Sequence, residues 1–232
     1  MTKTRSRLRP IRRLKLFAQS VLRQVTRRPP STEEVTRANT RQAYEKLYSD
    51  PRLFEEYLAS SRLLFFDEVA SFCAHLRPAR VIDLGCGTGH MLRALAKEWK
   101  SCQVDPLPAL HGMDHAWSAI VRARAVVPDG NFNMGSIYRL SYPDASFDLI
   151  VSTETFEHLR DPNRALTEAC RICRPGGYVL LTVPDGEVDD WEGHVNFWTM
   201  TTLRELLSRF VNVQAIRRGD EGRVLVATAR KS

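Results

Sequence analysis

Beyond residue 78 the chain alternates between short apolar runs and longer stretches in which apolar residues recur with helical spacing. The short runs predict seven strands, and the longer stretches predict the helices between them. The predicted strands are Arg80–Leu84, Ala109–Met113, Asn131–Met134, Phe147–Ser152, Gly177–Val183, Val211–Ile216 and Arg223–Ala229, and the predicted helices are Met91–Trp99, His115–Val126, Asn163–Cys173 and Thr202–Phe210. This alternation indicates an α/β fold in which helices cover both faces of a mostly parallel sheet.

The stretch before the first strand has helical spacing of apolar residues without strand signals. Ser31 followed by Glu34 is typical of a capping box at a helix start, and Asp50-Pro51 interrupts the pattern. We therefore predict two or three helices in residues 31–78 that cap the site, and a catalytic domain in residues 79–232.

Residues 1–30 form a basic leader whose apolar positions from Leu8 to Val25 lie on one helical face, with Pro29-Pro30 ending the pattern. The leader holds ten basic and no acidic residues, which leaves 24 basic and 27 acidic residues elsewhere, although the net charge of the chain is +7. The apolar face favours an anionic membrane surface as partner over nucleic acid. No aromatic residues alternate with the basic ones, and this absence also argues against the stacking of bases. An organelle presequence and a solvated tail remain alternatives.

The five cysteines are odd in number and irregularly spaced, which is not the pattern of a disulfide framework. A reducing compartment fits this composition, and no apolar run approaches the length of a transmembrane helix. We therefore expect a cytoplasmic protein, with peripheral attachment to the inner face of a membrane through its leader.

A glycine-rich turn follows the first predicted strand, in the segment Val81–Leu92. Gly85, Gly87 and Gly89 stand at alternate positions, so the main chain and the start of the next helix are accessible to a small ligand. A dinucleotide fingerprint would place its third glycine at His90, so the spacing disfavours NAD.

The residues from Asp83 to Gly89 resemble the first motif of class I S-adenosylmethionine-dependent methyltransferases. The resemblance continues through Pro143–Asp148, Glu154–Leu159 and Arg174–Tyr178, and it extends from Arg80 to Ala229. It implies a Rossmann-like, doubly wound sheet of seven strands whose last strand is antiparallel, with S-adenosylmethionine as the methyl donor.

The resemblance also implies which residues hold the donor. Asp83 and the loop backbone would surround its amino-acid end, and Asp114 would accept hydrogen bonds from both ribose hydroxyls, unless Asp114 caps the following helix. Ser136 replaces the acidic residue that often contacts the adenine amine, while Ile137 would clasp the ring and Glu154 would lie near the donor. The predicted donor-binding residues are Asp83, Gly85, Cys86, Gly87, Thr88, Gly89, Asp114, Ser136, Ile137 and Glu154.

Methyl transfer to an alcohol or phenol requires removal of a proton, and His158 and His194 are the candidate bases by residue type. A histidine that is hydrogen-bonded within a loop is the alternative for each. Trp191, His194, Phe197 and Trp198 would form an aromatic wall for the acceptor, with core packing as the alternative.

Glu154, Glu157 and His158 have the spacing i, i+3 and i+4, which would place them on one face of a helix. Such a set can bind a divalent metal, and quinone-biosynthetic O-methyltransferases look similar at this place. The same residue types occur in many metal-free relatives, and we favour the metal-free interpretation.

These features predict an enzyme that methylates a hydroxyl of a small-molecule acceptor, with nitrogen and carbon acceptors less favoured. A methyltransferase-like scaffold without activity is the alternative. The replacement at Ser136 is its only hint, whereas Asp83 with its loop and Asp114 oppose it. The sequence does not identify the acceptor.

Overall fold

The computed structural model describes residues 39–58, 60–73, 75–191 and 193–232, so the basic leader and the capping box at Ser31 lie outside the described residues. Within these ranges no helix has the length and apolar character needed to cross a membrane. The helices are α1 (Arg41–Ser49), α2 (Pro51–Tyr57), α3 (Ser60–Phe72), α4 (His90–Ser101), α5 (Trp117–Val126), α6 (Pro162–Ile172) and α7 (Met200–Leu207), and the strands are β1 (Arg80–Leu84), β2 (Ala109–Asp114), β3 (Asn131–Met134), β4 (Phe147–Thr153), β5 (Cys173–Pro184), β6 (Asn212–Gly219) and β7 (Val224–Arg230).

The strands form one seven-stranded sheet in the order β3-β2-β1-β4-β5-β7-β6. The first five strands of this order pair in parallel, and β7 is antiparallel to both β5 and β6. The predicted Rossmann-like α/β class is therefore confirmed, including the antiparallel last strand.

The core lies on both faces of the sheet because successive side chains of a strand point to opposite sides. Along β4, Ile150 packs with Leu166 of α6 on one face, whereas Leu149 packs with Leu92 of α4 on the other. The central strands are consequently apolar at consecutive positions, and their buried polar side chains lie near the ends at which the parallel strands finish, at Asp83, Asp114, Ser152, Thr153 and Thr182.

β5 begins earlier than the sequence predicts. The preceding helix ends at Ile172, and Cys173 already pairs with Phe147 of β4, whereas the next paired residues are Leu149 and Tyr178. The segment between these pairs bulges out of the ladder, and Gly176 there has a φ of +72°. The turn signal at Pro175–Gly177 thus marks a bulge within the strand rather than its start.

Helix α1 is fixed to α5 by a carboxylate that replaces a missing cap. Ala116 precedes α5 and offers no side-chain acceptor, and the Glu45 carboxylate accepts hydrogen bonds from Trp117 N and Ser118 N at 2.6 and 2.9 Å. The Arg122 guanidinium of α5 donates to the Tyr48 carbonyl. These contacts place α1 over the start of α5, next to the glycine-rich loop.

Candidate functional site

The loop after β1 requires glycine at Gly85 for steric reasons. Gly85 has a φ of +79°, and a Cβ there would lie 2.3 Å from Thr155 Oγ1. Its N–H and that of Cys86 donate to the Met113 carbonyl at 2.8 and 3.0 Å, which ties the loop to the end of β2. Gly87 and Gly89 also have positive φ values, of +48° and +77°. The loop therefore presents main chain rather than side chains to a ligand.

Cys86 and Thr88 are buried and their side chains bond within the loop region. The Cys86 thiol lies 3.7 Å from the Gly87 carbonyl, and Thr88 Oγ1 is 2.8 Å from His90 Nδ1. Burial lowers the pKa of His90 to about 4, so this imidazole is neutral near pH 7. The contribution of Cys86 and Thr88 to a ligand site therefore lies in their backbone.

Asp83 places a carboxyl group with unmet hydrogen-bonding capacity beside this loop. The side chain is buried, and neither oxygen has a hydrogen-bond partner among the described residues. Burial, followed by the charge of Asp114, raises the pKa of Asp83 to about 8. A buried carboxyl group without donors is costly, so this position suits a ligand that brings its own donor, such as an ammonium group.

Asp114 lies at the end of β2 and uses both carboxylate oxygens to organise the backbone around the loop. Oδ2 accepts from Gly87 N at 3.0 Å, and Oδ1 accepts from Ala116 N at 2.9 Å. Burial raises the pKa of Asp114. His115 Nδ1 also lies 3.5 Å from Oδ1. Because a carboxylate oxygen can accept two hydrogen bonds, support of the turn before α5 is compatible with binding of a ribose hydroxyl at Oδ2.

Ser136 and Ile137 differ in exposure. Ser136 is exposed, and its Oγ accepts a hydrogen bond from Tyr138 N at 3.3 Å. The Ile137 side chain is buried in the same hydrophobic cluster as Leu84 and Met113. Ile137 therefore offers a ligand mainly its backbone, whereas Ser136 lies at the surface beside it.

The segment after β4 is not the helix that the spacing of Glu154, Glu157 and His158 suggests. Glu154 has a φ of +51° and donates its N–H to the Thr182 carbonyl of β5, and only a short 3₁₀ turn, Phe156–His158, follows. The left-handed backbone at Glu154 ends the strand before any α-helical turn can form. The prediction of one helical face is therefore wrong.

The structure instead brings Glu157 and His158 next to His194, which lies on the loop after β5. Glu157 Oε1 is 3.7 Å from His158 Nε2 and 3.9 Å from His194 Nε2, and the two imidazole centroids are 4.9 Å apart. Burial and the neighbouring Glu154 raise the pKa of Glu157 well above its usual range. Burial and the proximity of His194 lower the pKa of His158 to about 4.

The same three residues are a candidate metal-ligand set. Glu157, His158 and His194 each offer one ligand atom, and these atoms lie within 4.8 Å of one another. Two ligands of one zinc ion, each about 2.1 Å from it, are at most about 4.2 Å apart, so a separation of up to 4.8 Å is slightly wider than a formed zinc site allows. Glu154, which the spacing had included in the set, lies outside this group and has one oxygen without a hydrogen-bond partner.

The residues missed by sequence reasoning are Asp189, Thr155, Tyr44 and Tyr48. Asp189 Oδ2 lies 2.6 Å from His194 Nδ1, and Tyr48 Oη lies 3.1 Å from the position of a Cβ on Gly87. An acidic residue five positions before His194 was the only local signal for Asp189. Tyr44 and Tyr48 of α1 had no local sequence signal, because the residues around them do not indicate which element α1 packs against.

The residues of the predicted aromatic wall differ in exposure. Trp191 and Phe197 are about half exposed, at 52% and 48%, and their ring centroids lie 4.6 and 6.3 Å from that of His194. Trp198 is buried in the core and does not line the wall. Tyr44 of α1 also lies near these rings, with its ring centroid 6.0 Å from that of His158.

Comparison with known proteins decides the family. A family model described as a methyltransferase domain matches residues 54–218, which is most of the chain. The chain belongs to this methyltransferase family. S-adenosylmethionine is the methyl donor of this methyltransferase domain, as the predicted motifs implied.

Similar methyltransferases differ in their named acceptors. The chain is 28% identical over 169 residues to 2-methyl-6-phytyl-1,4-hydroquinone methyltransferase of Synechocystis sp.. The matched segment is 70% of this chain and 50% of that protein. It is 35% identical over 107 residues to trans-aconitate 2-methyltransferase of Deinococcus radiodurans, and this match is 46% of the chain and 38% of that protein. The chain thus spans about half or less of the length of these curated relatives.

A solved methyltransferase shares the fold. The N-methyltransferase NodS of Bradyrhizobium japonicum WM9, in complex with S-adenosylhomocysteine, superposes with a TM-score of 0.67 at 19% identity, covering 83% of this chain and 98% of that one. The residues present here fit such a ligand. The unpartnered Asp83 carboxyl suits its amino group, and the loop from Gly85 to Gly89 leaves its main chain open for it.

Proposed function

We propose that this methyltransferase transfers a methyl group to a hydroxyl of a small-molecule acceptor, and that His194 removes the hydroxyl proton. The proposal depends on one observation above all, the pair of partly buried imidazoles of His158 and His194 beside the half-exposed rings of Trp191 and Phe197. His158, with a pKa of about 4, is a weak proton acceptor near neutral pH. We therefore assign proton removal to His194.

The bound donor would supply an activated methyl group on a sulfonium whose leaving group is neutral. The chain has to hold the reactants in line, exclude water and accept one proton. Asp83, Asp114 and the glycine-rich loop would hold the donor. Tyr44 and Trp191, whose rings both lie beside His158, would limit the access of water, and His194 Nε2 would receive the proton.

An acceptor with an apolar or aromatic body is favoured by the exposed wall. Trp191 and Phe197 offer ring faces for stacking beside His194, and such contacts typically contribute about 0.5–1.5 kcal/mol beyond apolar burial. The Synechocystis relative is named for a hydroquinone, which has both a ring and hydroxyl groups. The acceptors named for other relatives differ, so the ring is part of our proposal rather than a property of the family.

Radiolabelled donor incubated with fractionated extracts identifies the acceptor, and mass spectrometry of the product locates the methyl group. We expect an O-methyl product and a loss of turnover of at least about a hundredfold in His194→Gln, the lower range for loss of general base catalysis. Binding of S-adenosylhomocysteine, measured by calorimetry, should change less than about twofold. His75→Gln, at an exposed position, is the matched control.

Two results contradict the proposal. A product methylated on nitrogen or carbon contradicts the acceptor class, and full turnover by His194→Gln contradicts the assigned base. A protein that binds S-adenosylhomocysteine but never transfers the label to any fraction supports the scaffold alternative instead.

Metal-assisted activation of the hydroxyl is a second candidate, because Glu157, His158 and His194 lie close together. We propose the metal-free route, in which chelator treatment leaves turnover unchanged. Loss of turnover on chelation that magnesium restores supports the metal route and contradicts ours. A parallel measurement of S-adenosylhomocysteine affinity separates loss of a metal from loss of the folded donor site.

A further inference from the structure

We infer that Asp189 is a positioning residue that fixes the tautomer of His194, so that Nε2 carries the lone pair. This inference rests on the proposed role of His194 as proton acceptor. It concerns a residue that the sequence motifs do not indicate. The observation behind it is the contact of 2.6 Å between Asp189 Oδ2 and His194 Nδ1.

The Asp189 carboxylate is itself held in place. Its other oxygen, Oδ1, accepts from Trp191 N at 3.2 Å, and the Asp189 backbone N–H donates to the Asp185 carbonyl at 2.8 Å. Asp185 is completely buried, and Arg218 donates to its carboxylate at 2.6 Å. The Asp189 and His194 side chains are only 9% and 10% exposed, so water competes little for their contact.

The direction of the hydrogen bond follows from the chemistry of the two groups. A carboxylate can only accept, so the short contact requires a proton on His194 Nδ1. The neutral imidazole then has its lone pair on Nε2, which lies 3.9 Å from Glu157 Oε1. With the proton on Nε2 instead, His194 could not take a proton from an acceptor at that side.

Other charged groups around His194 do not supply this constraint. Glu157 approaches Nε2 at 3.9 Å, beyond hydrogen-bond distance, and His158 lies beside the ring with a centroid separation of 4.9 Å. Glu154 and Arg62 act on this cluster through their charges. Among the described residues, Asp189 is the group in contact with Nδ1, so the tautomer depends on this carboxylate.

The substitution Asp189→Asn separates positioning from simple support of the loop. Asparagine has nearly the same size and can still accept from Trp191 N through its carbonyl oxygen. Its amide nitrogen can then donate to His194 Nδ1, which moves the imidazole proton to Nε2. Asp190→Asn removes a charge from the exposed neighbouring position and is the matched control.

The experiment is nitrogen-15 NMR of the full chain, labelled at histidine and saturated with S-adenosylhomocysteine, with the His194 signal assigned from its absence in His194→Gln. In the wild type and in Asp190→Asn we expect the neutral ring to carry its proton on Nδ1. In Asp189→Asn we expect the Nε2–H form to predominate. Asp189→Glu should restore the Nδ1–H form, which a loss of loop structure would not allow.

Turnover with the identified acceptor gives the second readout. We expect Asp189→Asn to lower kcat at least about a hundredfold, as removal of the orienting carboxylate does in a serine protease triad, with S-adenosylhomocysteine affinity within about twofold of wild type. An Nε2–H ring in the wild type, or equal behaviour of Asp189→Asn and Asp190→Asn in both readouts, overturns the inference. Full turnover by His194→Gln refutes the proposed base, whereas the tautomer remains measurable.

Discussion

At the scale of single residues, we predict that Asp83 links donor binding to proton release. Its pKa, raised to about 8 by burial and by Asp114, leaves the carboxyl group mostly protonated at pH 7. An ammonium group favours the ionised form, so binding of S-adenosylhomocysteine should release a proton and become tighter as the pH rises from 6 toward 8. Calorimetry at pH 7 in two buffers of different ionisation enthalpy measures this release.

The substitution Asp83→Asn supplies the control for that measurement, because the ligand's own amine titrates equally with both proteins. It should abolish the difference in proton release and weaken binding by roughly 1.5–3 kcal/mol, the range for hydrogen bonds to charged groups. Identical proton release in wild type and variant would show that Asp83 is not the linked group.

The glycines with positive φ allow steric clash to be separated from backbone strain. Gly85 and Gly222 have φ values of +79° and +92°, but a Cβ on Gly222 meets nothing within 4 Å, whereas one on Gly85 meets Thr155. Gly222→Ala should lower the free energy of unfolding by about 1–2 kcal/mol, the cost of a left-handed backbone. Gly85→Ala should cost more, because it adds the clash.

Urea denaturation of both alanine variants measures these costs from the midpoint at constant slope. Because Gly85 adjoins the donor site, Gly85→Ala should also weaken binding of S-adenosylhomocysteine, and Gly222→Ala should not. Equal destabilisation by the two substitutions would mean that Thr155 moves aside without cost.

At the scale of elements, Glu45 holds α1 against α5. Although partial burial acts to raise it, hydrogen bonds from Ser118 and Trp117 lower the pKa of Glu45 to about 2. Glu45→Gln leaves one acceptor oxygen in place of two and should lower the free energy of unfolding by roughly 0.5–2 kcal/mol at pH 7, the range for loss of a helix cap.

The pH dependence of this loss follows from the lowered pKa. The contribution of Glu45 is complete above its unfolded pKa of 4.5 and is lost as the pH falls toward about 2. Thermal unfolding of wild type and Glu45→Gln should therefore converge between pH 4.5 and 2. Glu55→Gln, at an exposed position of α2, is the control. A difference between wild type and Glu45→Gln that does not depend on pH would contradict the role of the ionised Glu45 carboxylate in holding α1 against α5.

At the scale of the whole molecule, the basic leader remains a prediction, as do the domain boundaries after residues 30 and 78. The Asn39 side chain donates to the Gly193 carbonyl at 2.7 Å, so the described chain starts beside His194. We predict that the leader binds an anionic membrane surface through its basic residues. Each basic residue near such a surface contributes about 1 kcal/mol, weakened by salt.

Deletion of residues 1–30 tests this arrangement. We expect the full chain to sediment with phosphatidylglycerol vesicles at low salt and the truncated chain to stay in solution, with equal affinity for S-adenosylhomocysteine. Neutral phosphatidylcholine vesicles are the control. Absence of binding at low salt would refute the membrane prediction, and binding to duplex DNA with a steep salt dependence would support the nucleic-acid alternative.

The amino-acid sequence by itself determined the architecture and the donor loop. Alternation of strand and helix periods is local information, and a strand that runs into alternate glycines predicts a main-chain ligand site whatever the rest of the chain does. The roles predicted for Asp83 and Asp114 came instead from the resemblance to class I methyltransferases, and the structure places both residues near the carboxyl ends of the neighbouring parallel strands β1 and β2.

Only the tertiary structure decided the chemistry around the acceptor. Glu157 and His194 are 37 positions apart, and Glu45 meets the start of α5 across 72 positions, so no periodicity records their contacts. The left-handed backbone at Glu154 redirects the segment that local spacing assigned to a helix. Side-chain partners across the site depend on the positions of the loops over the sheet. Long-range packing determines these positions, and local residue patterns do not record them.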